Sequence, residues 1–320
     1  MSDLEEATAF FTDVFGCRTL YTMGPFQGSN GPFMRTYANS DVRSVVHHVR
    51  VLRSPFLNVE LFQATSPRQR PLWPDLYDVG GWALTARVDD LDAAVEHLQA
   101  RDDVYVLDAG HCMTGWGFHF ALTAGPGDDQ RWNPTGPTGP VAPGAVPGFR
   151  GFESLQVTVA DLDEATELLT GVLGFAALGD TVPPRTQANV DARATPSRSR
   201  AFRSPYLDVD LVECPSYPGQ SRVWPAMFDV GGWHLAFYVD DVDAAVADLE
   251  ATDVHILGPK KPAYLYEAGE DAYTVHCLAP FGLLFELVTY PHGRYREAEH
   301  AGTAWHPSTH RTLGSDRSPR

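Results

Sequence analysis

The sequence predicts an α+β fold assembled from four copies of one βαβββ module, and two observations carry that prediction. The first is a duplication. Residues 79–102 and 230–253 share 15 identities in 24 at a spacing of 151. Upstream, "RSPFLNVELFQ" (Arg53 to Gln63) matches "RSPYLDVDLVE" (Arg203 to Glu213), and "SDLEEATAFFTDVFG" (Ser2 to Gly16) matches "ADLDEATELLTGVLG" (Ala160 to Gly174). A repeat of about half the chain is too long for a solenoid. The second observation is a pattern met twice in each half: an alternating strand, an Asp-capped amphipathic helix, weaker strand signals, and a last alternating strand containing an acidic residue.

Each element follows from local chemistry. The first helix starts at Asp3, which leaves no room for the opening strand that the third module builds from Leu155 to Val159. An earlier start, another segment or another subunit is expected to fill that edge, because an open edge invites aggregation. The second module opens on "VGGWALTARV" and continues into a helix at "DDLDAAVEHLQ". "NPTGPTGPVAPGAVPG", Asn133 to Gly148, is too rich in Pro and Gly for a helix or central strand and reads as a semi-rigid linker. In the third module "SLQVTV" is the strand, "DLDEATELLTGVLG" the helix, with Gly174 as its stop, and "YLDVDLVE" a later strand. In the fourth, "HLAFYV" is the strand and Asp240 or Asp241 caps a helix whose apolar stripe is Val242, Ala245, Val246 and Leu249. "AYTVHCLA" and "LLFELVTY" follow, joined by a turn at "PFG". The expected organisation is an N-terminal module pair over 1–132, the linker over 133–148, a C-terminal module pair over 149–291, and a polar tail over 292–320.

Composition narrows the function classes. With 43% hydrophobic and 20% charged residues the chain reads as globular, and no apolar stretch approaches the roughly 20 residues of a membrane span. A net charge of −17 repels phosphate backbones and anionic lipid, so neither nucleic acid nor membrane is an expected partner. Four scattered cysteines (Cys17, Cys112, Cys214, Cys277) without CxxC spacing suit a reducing cytosol, and no export signal is apparent, so a cytoplasmic location is expected.

"SLQVTVADLDEATELLTGVLGF", "HLAFYVDDVDAAVADLEATDV" and "LAPFGLLFELV" resemble the vicinal oxygen chelate superfamily of glyoxalases, bleomycin-resistance proteins and extradiol dioxygenases. The resemblance covers most of residues 1–290. It implies that each module pair forms a cup-shaped half-barrel, with metal ligands pointing inward from set strand positions. One such slot lies seven residues before the Asp that opens each helix, and another lies four residues after the Gly of the Pro-x-Gly turn. In the fourth module these are His234 and Glu286; in the third they are Ser154 and, on the last strand, Asp210. The N-terminal pair is poorer: Glu60 remains in the first module, while the second holds Ala83 and, by a gapped match, Arg131. The resemblance thus implies a degenerate N-terminal pair, serving as scaffold or homodimer contact, and a C-terminal pair that keeps the chemistry.

The implied ligand set is His234, Glu286 and Asp210, whose nitrogen and oxygen donors suit Fe, Mn, Ni, Co or Zn as a divalent ion. An inward carboxylate such as Glu286 is costly to bury without a cation or donors facing it. Ser154 departs from the family's His or Gln, and Gln156, which shares its strand face, is the better replacement, with Glu153 beside it as an alternative. His276 stands ten residues before Glu286, where extradiol dioxygenases tend to hold Tyr. Glu286 and His276 form a workable acid/base pair.

Three functions compete. The first is a metal-assisted isomerase or epimerase of a small hydroxy-carbonyl metabolite, of the kind that methylmalonyl-CoA and cyclitol (valiolone-type) epimerases represent, with Glu286 or His276 moving the proton. The second is an extradiol ring-cleaving dioxygenase, for which the His/His/Glu triad is incomplete. The third is a metal-free binder of a drug or metabolite, with Trp82, Trp224, Trp233, Phe237 and Tyr238 lining the cups. Ser154, Gln156 and Tyr238 are the expected substrate contacts.

Overall fold

The computed structural model describes residues 3–26, 41–55, 57–71, 73–107, 110–124, 145–178, 198–204, 207–262 and 272–289. The four α-helices among the described residues each begin on an extended aspartate, as local capping chemistry demands. Asp3 accepts from the Glu5 and Glu6 amides at the start of α1 (Leu4–Phe15), and Asp90 from Ala93 at α2 (Leu91–Gln99). Asp161 opens α3 (Leu162–Glu167), which runs on into a π turn over Leu168–Val172, and Asp241 opens α4 (Val242–Glu250). Each carboxylate satisfies amides that have no partner inside the helix. No helix among the described residues is long and apolar enough to cross a membrane.

The first module contributes β1 (Arg18–Met23), β2 (Val45–Arg53) and β3 (Asn58–Thr65), an antiparallel sheet in that order. The second contributes β4 (Trp82–Val88), β5 (Val104–Val106), β6 (His111–Thr114) and β7 (His119–Ala124), and the third β8 (Gly151–Val159), β9 (Ala176–Ala177), β10 (Arg198–Arg203) and β11 (Asp208–Glu213). The fourth has β12 (Leu235–Tyr238), β13 (His255–Ile256), β14 (Lys261–Pro262), β15 (Tyr273–Leu278) and β16 (Leu284–Thr289).

The modules do not pair in chain order. The opening strands of the second and third modules, β4 and β8, hydrogen-bond antiparallel, with Ala83 opposite Gln156 and Thr85 opposite Ser154. Modules two and three therefore share one eight-stranded sheet, β5-β6-β7-β4-β8-β11-β10-β9, which crosses the boundary expected at the linker. The physical reason is edge satisfaction: each opening strand has one free edge, and these two close on each other. β8 is buried along its whole length.

The fourth module's sheet, β12-β16-β15-β13, stands with the first module instead. Phe228, ahead of β12, is buried among Tyr21, Met23, Val46, Val49, Val51 and Ala64. Gln69 donates to the Phe228 carbonyl, and Arg70 pairs with Asp229 at 2.7 Å. Among the described residues, β3 pairs only with β2 and β12 only with β16. Helix α1 joins the same large core as Leu52 and Leu61, and its Phe10, Phe11 and Phe15 pack on Phe118, Phe120 and Phe152 at centroid distances of 5.0 to 6.3 Å. The end of the expected linker is not loose either. Val146 is fully buried, and its amide donates to the Val14 carbonyl. The tail expected over 292–320 lies outside the described residues.

The shared "VGGW" motif has a structural cause. Trp82 Nε1 donates to the Gly231 carbonyl at 3.1 Å, and Trp233 Nε1 donates to the Gly80 carbonyl at 3.0 Å. The two indoles lie 5.8 Å apart, flanked by Trp73 and Trp224. Gly80 and Gly231 both have positive φ, and a Cβ on Gly231 would come within 2.7 Å of the Trp73 ring. Trp82, Trp224 and Trp233 thus lock the two copies together around a local two-fold relation. They are packing residues at the contact between the two copies.

Candidate functional site

Glu286 lies on β16 between two neighbours. Its register partners are Ala236 on the parallel strand β12 and His276 on the antiparallel strand β15. His234 precedes Ala236 by two residues and so faces the same side of the sheet. The side chains converge. His234 Nε2 is 3.9 Å from Glu286 Oε2, and His276 Nε2 is 3.9 Å from Oε1, with imidazole centroids 6.3 Å apart. Thr274, also on β15, donates its hydroxyl to Oε1. Relative side-chain exposures of 12% (His234), 8% (His276) and 18% (Glu286) leave the group shielded yet reachable. The carboxylate acts on its surroundings: burial first and Glu286 second push the neighbouring Cys277 thiol up to about 12. All four cysteines are buried and none is in a disulfide.

A separation of 3.9 Å is too long for a hydrogen bond. It is short enough for two donors to share one ion, since bonds of about 2.1 Å allow donor–donor separations up to about 4.2 Å. An imidazole and a carboxylate so placed fit a divalent ion that prefers nitrogen and oxygen. Among the described residues, no group of three or more His, Cys, Asp or Glu takes up a metal-holding arrangement. The first module reaches this site: the Phe62 ring on β3 lies 5.8 Å from His234, edge to face. Glu60, exposed and two residues earlier on β3, projects from the same face as Phe62.

Asp210 is not part of this group. It sits on β11 in the eight-stranded sheet, opposite Gln156 and Ala201, because its module pairs with the second and not the fourth. Ser154 and Gln156 lie on β8 in that same sheet, both fully buried. The hydroxyls of Ser154 and Thr85 find no hydrogen-bond partner among the described residues. Glu153 is tied to Arg87 at 3.2 Å and accepts from Thr123 at 2.9 Å, so it is engaged in structure. Tyr238 is on the His234 face of β12 but four residues along, packed near Ala272 and Val288.

The eight-stranded sheet shows what the second module lost. Ala121 pairs with Thr85 and His111 as Glu286 pairs with Ala236 and His276. The Glu286 position is therefore Ala121, which corrects the gapped match to Arg131, a residue outside the described ones. Ala83 stands at the His234 position, beside His119. His111 Nε2 and His119 Nδ1 lie 3.3 Å apart in the interior. Sequence reasoning missed Thr274, Phe62 and this histidine pair.

Burial, with help from His111 and against a pull from Asp75, pushes the His119 imidazole down to about 4. The unfolded chain takes up that proton near pH 6.5 and the folded chain does not. Stability therefore falls as pH drops from about 6.5 towards 4, by up to about 3 kcal/mol, and then levels off. Urea unfolding midpoints across that window should show the loss, and His119→Leu should flatten it; an unchanged slope in the variant would remove His119 as its source.

Residues 155–274 match the family described as the Glyoxalase/Bleomycin resistance protein/Dioxygenase superfamily. A 2-epi-5-epi-valiolone epimerase of Actinomyces sp is 34% identical over 130 residues, which is 41% of this chain and 65% of that protein, slightly under two thirds of its length. Two solved structures share the fold at 15% identity. One is a Bacillus subtilis protein whose name proposes a dioxygenase (TM-score 0.55, covering 93% of this chain and 84% of that one). The other is glyoxalase I of Zea mays (TM-score 0.52, 90% and 89%). Residues 155–274 thus match the model of the Glyoxalase/Bleomycin resistance protein/Dioxygenase superfamily, and over nine tenths of its length the chain shares the fold of these glyoxalase-type structures.

Proposed function

We propose that this chain is a metal-dependent epimerase of a small hydroxy-carbonyl compound, acting on the carbon next to the carbonyl. One observation carries the reading: the two imidazoles of His234 and His276 converge on the Glu286 carboxylate, one against each oxygen. The 34% identity to an epimerase supports the same reaction class. His234 and Glu286 would hold the ion, with Glu60 as a further carboxylate from the first module. A divalent ion there supplies Lewis-acid polarisation of the carbonyl, which acidifies the neighbouring C–H.

The chain's own residues handle the proton. His276 Nε2 takes it from the carbon, and the Glu286 charge beside it steadies the imidazolium. Inversion requires the enolate to turn over, after which the same nitrogen, having exchanged its proton with solvent, reprotonates the carbon from the opposite face. Phe62 closes the first-module side of the site beside His234. The buried cysteines, none in a disulfide, suit a reducing cytoplasm.

The test is solvent exchange in D2O with 2-epi-5-epi-valiolone as the first substrate. Deuterium should enter at the carbon next to the carbonyl, stop on chelation, and resume when a divalent metal is restored. Exchange that survives chelation, or none on this or related hydroxy-ketones, would count against the reading. Two imidazoles and one carboxylate are also the donor set of non-haem Fe(II) oxygenases. Iron in the protein together with oxygen uptake on catechols would favour that second reading.

A further inference from the structure

We infer that Thr274 is a positioning residue for Glu286, fixing the carboxylate so that Oε2 is the oxygen offered to the ion beside His234. This rests on the reading of His234 and Glu286 as a metal-holding pair. The register supplies the mechanism. His276 is directly opposite Glu286 across β15 and β16, while Thr274 is opposite Val288. Thr274 therefore reaches the carboxylate diagonally, from the same strand face as His276. Its hydroxyl donates to Oε1, the oxygen nearer His276, and it is itself 5% exposed.

A carboxylate on a strand turns about its last bond with little resistance, so its two oxygens are interchangeable unless something distinguishes them. Thr274 distinguishes them. With Oε1 engaged by the hydroxyl, Oε2 is left facing His234 Nε2 at 3.9 Å. Oε1 also stays within 3.9 Å of His276 Nε2, close enough to balance charge there. One hydroxyl thereby separates the two tasks of a single carboxylate. Groups that hold a metal ligand in place typically cost 10- to 100-fold in affinity when removed. The backbone of Thr274 would be untouched, because strand pairing does not depend on the side chain.

The probe is cobalt(II) alone, titrated into the full chain and followed by its visible absorption, with no substrate present. Native protein should bind about one equivalent. Thr274→Val, nearly the same shape without the donor, should bind it about 10- to 100-fold more weakly and show an altered band shape. Thr274→Ser should restore both to within about threefold, because it returns the hydroxyl. Circular dichroism and the melting temperature check that each variant is folded, and Thr274→Ala replaces the valine variant if that one is not. Equal affinity in native and valine forms would overturn the role of Thr274 while leaving the metal pair intact. So would equal weakening in the valine and serine forms, since the donor would not be the cause. No cobalt bound by the native chain would instead overturn the metal pair, and this inference with it.

Discussion

Glu286→Gln is expected to lower the rate of deuterium exchange into substrate by at least about 10³-fold while leaving the fold intact. General acid/base support alone is worth about 10²- to 10⁴-fold, and the amide is in addition a poorer ligand than the carboxylate. Gln keeps the shape of the side chain and still accepts from the Thr274 hydroxyl, so packing changes little. What disappears is the charge that steadies His276 at 3.9 Å and the oxygen that faces His234. His276→Asn should lose a comparable factor and still hold metal, whereas His234→Ala should lose both metal and exchange. The measurement is the exchange rate per mole of folded protein, and a Glu286→Gln chain keeping more than a tenth of native activity would contradict the assignment.

Trp233→Ala should cost about 3–5 kcal/mol of stability, the range for removing a large buried aromatic. Trp233 is 8% exposed, packs on Trp82 and Trp224, and satisfies the Gly80 carbonyl with its indole N–H. Trp233→Phe keeps most of the apolar contact and loses the hydrogen bond, so it should cost only about 1 kcal/mol beyond the lost ring area. Urea unfolding distinguishes the two. Equal small losses would mean that the reciprocal contact between the repeats is not a stabilising element.

What can be read from the sequence is local. The four capping aspartates, Asp3, Asp90, Asp161 and Asp241, announce their helices because the cap and the helix are neighbours in the chain. The family resemblance implies His234 and Glu286 for a similar reason: each slot it points to sits at a fixed step from a cap or a turn in its own module. Asp210 groups with them only if modules pair in chain order. That pairing is decided by which free edges meet, here β4 with β8, and edge choice depends on contacts between residues far apart in sequence. The same non-local step hides Phe62, which reaches His234 only because the first module stands beside the fourth. Thr274 carries no motif at all. Its role rests on a diagonal register between two strands, two residues from His276, and strand alternation alone points to it once Glu286 is known. His111 and His119 escape notice because they lie in a weakly patterned stretch, yet the register places His111 where the fourth module has His276.

On the proposed function, the fourth module, backed by the first, holds the ion and the chemistry. The direct measurement is the metal content of protein purified without chelator, for the native chain, His234→Ala and Asp210→Asn. About one equivalent of a divalent metal is expected in the native and Asp210→Asn chains, and none in His234→Ala. Loss of metal in Asp210→Asn with retention in His234→Ala, or no metal in the native chain even after it is added back, would contradict the account.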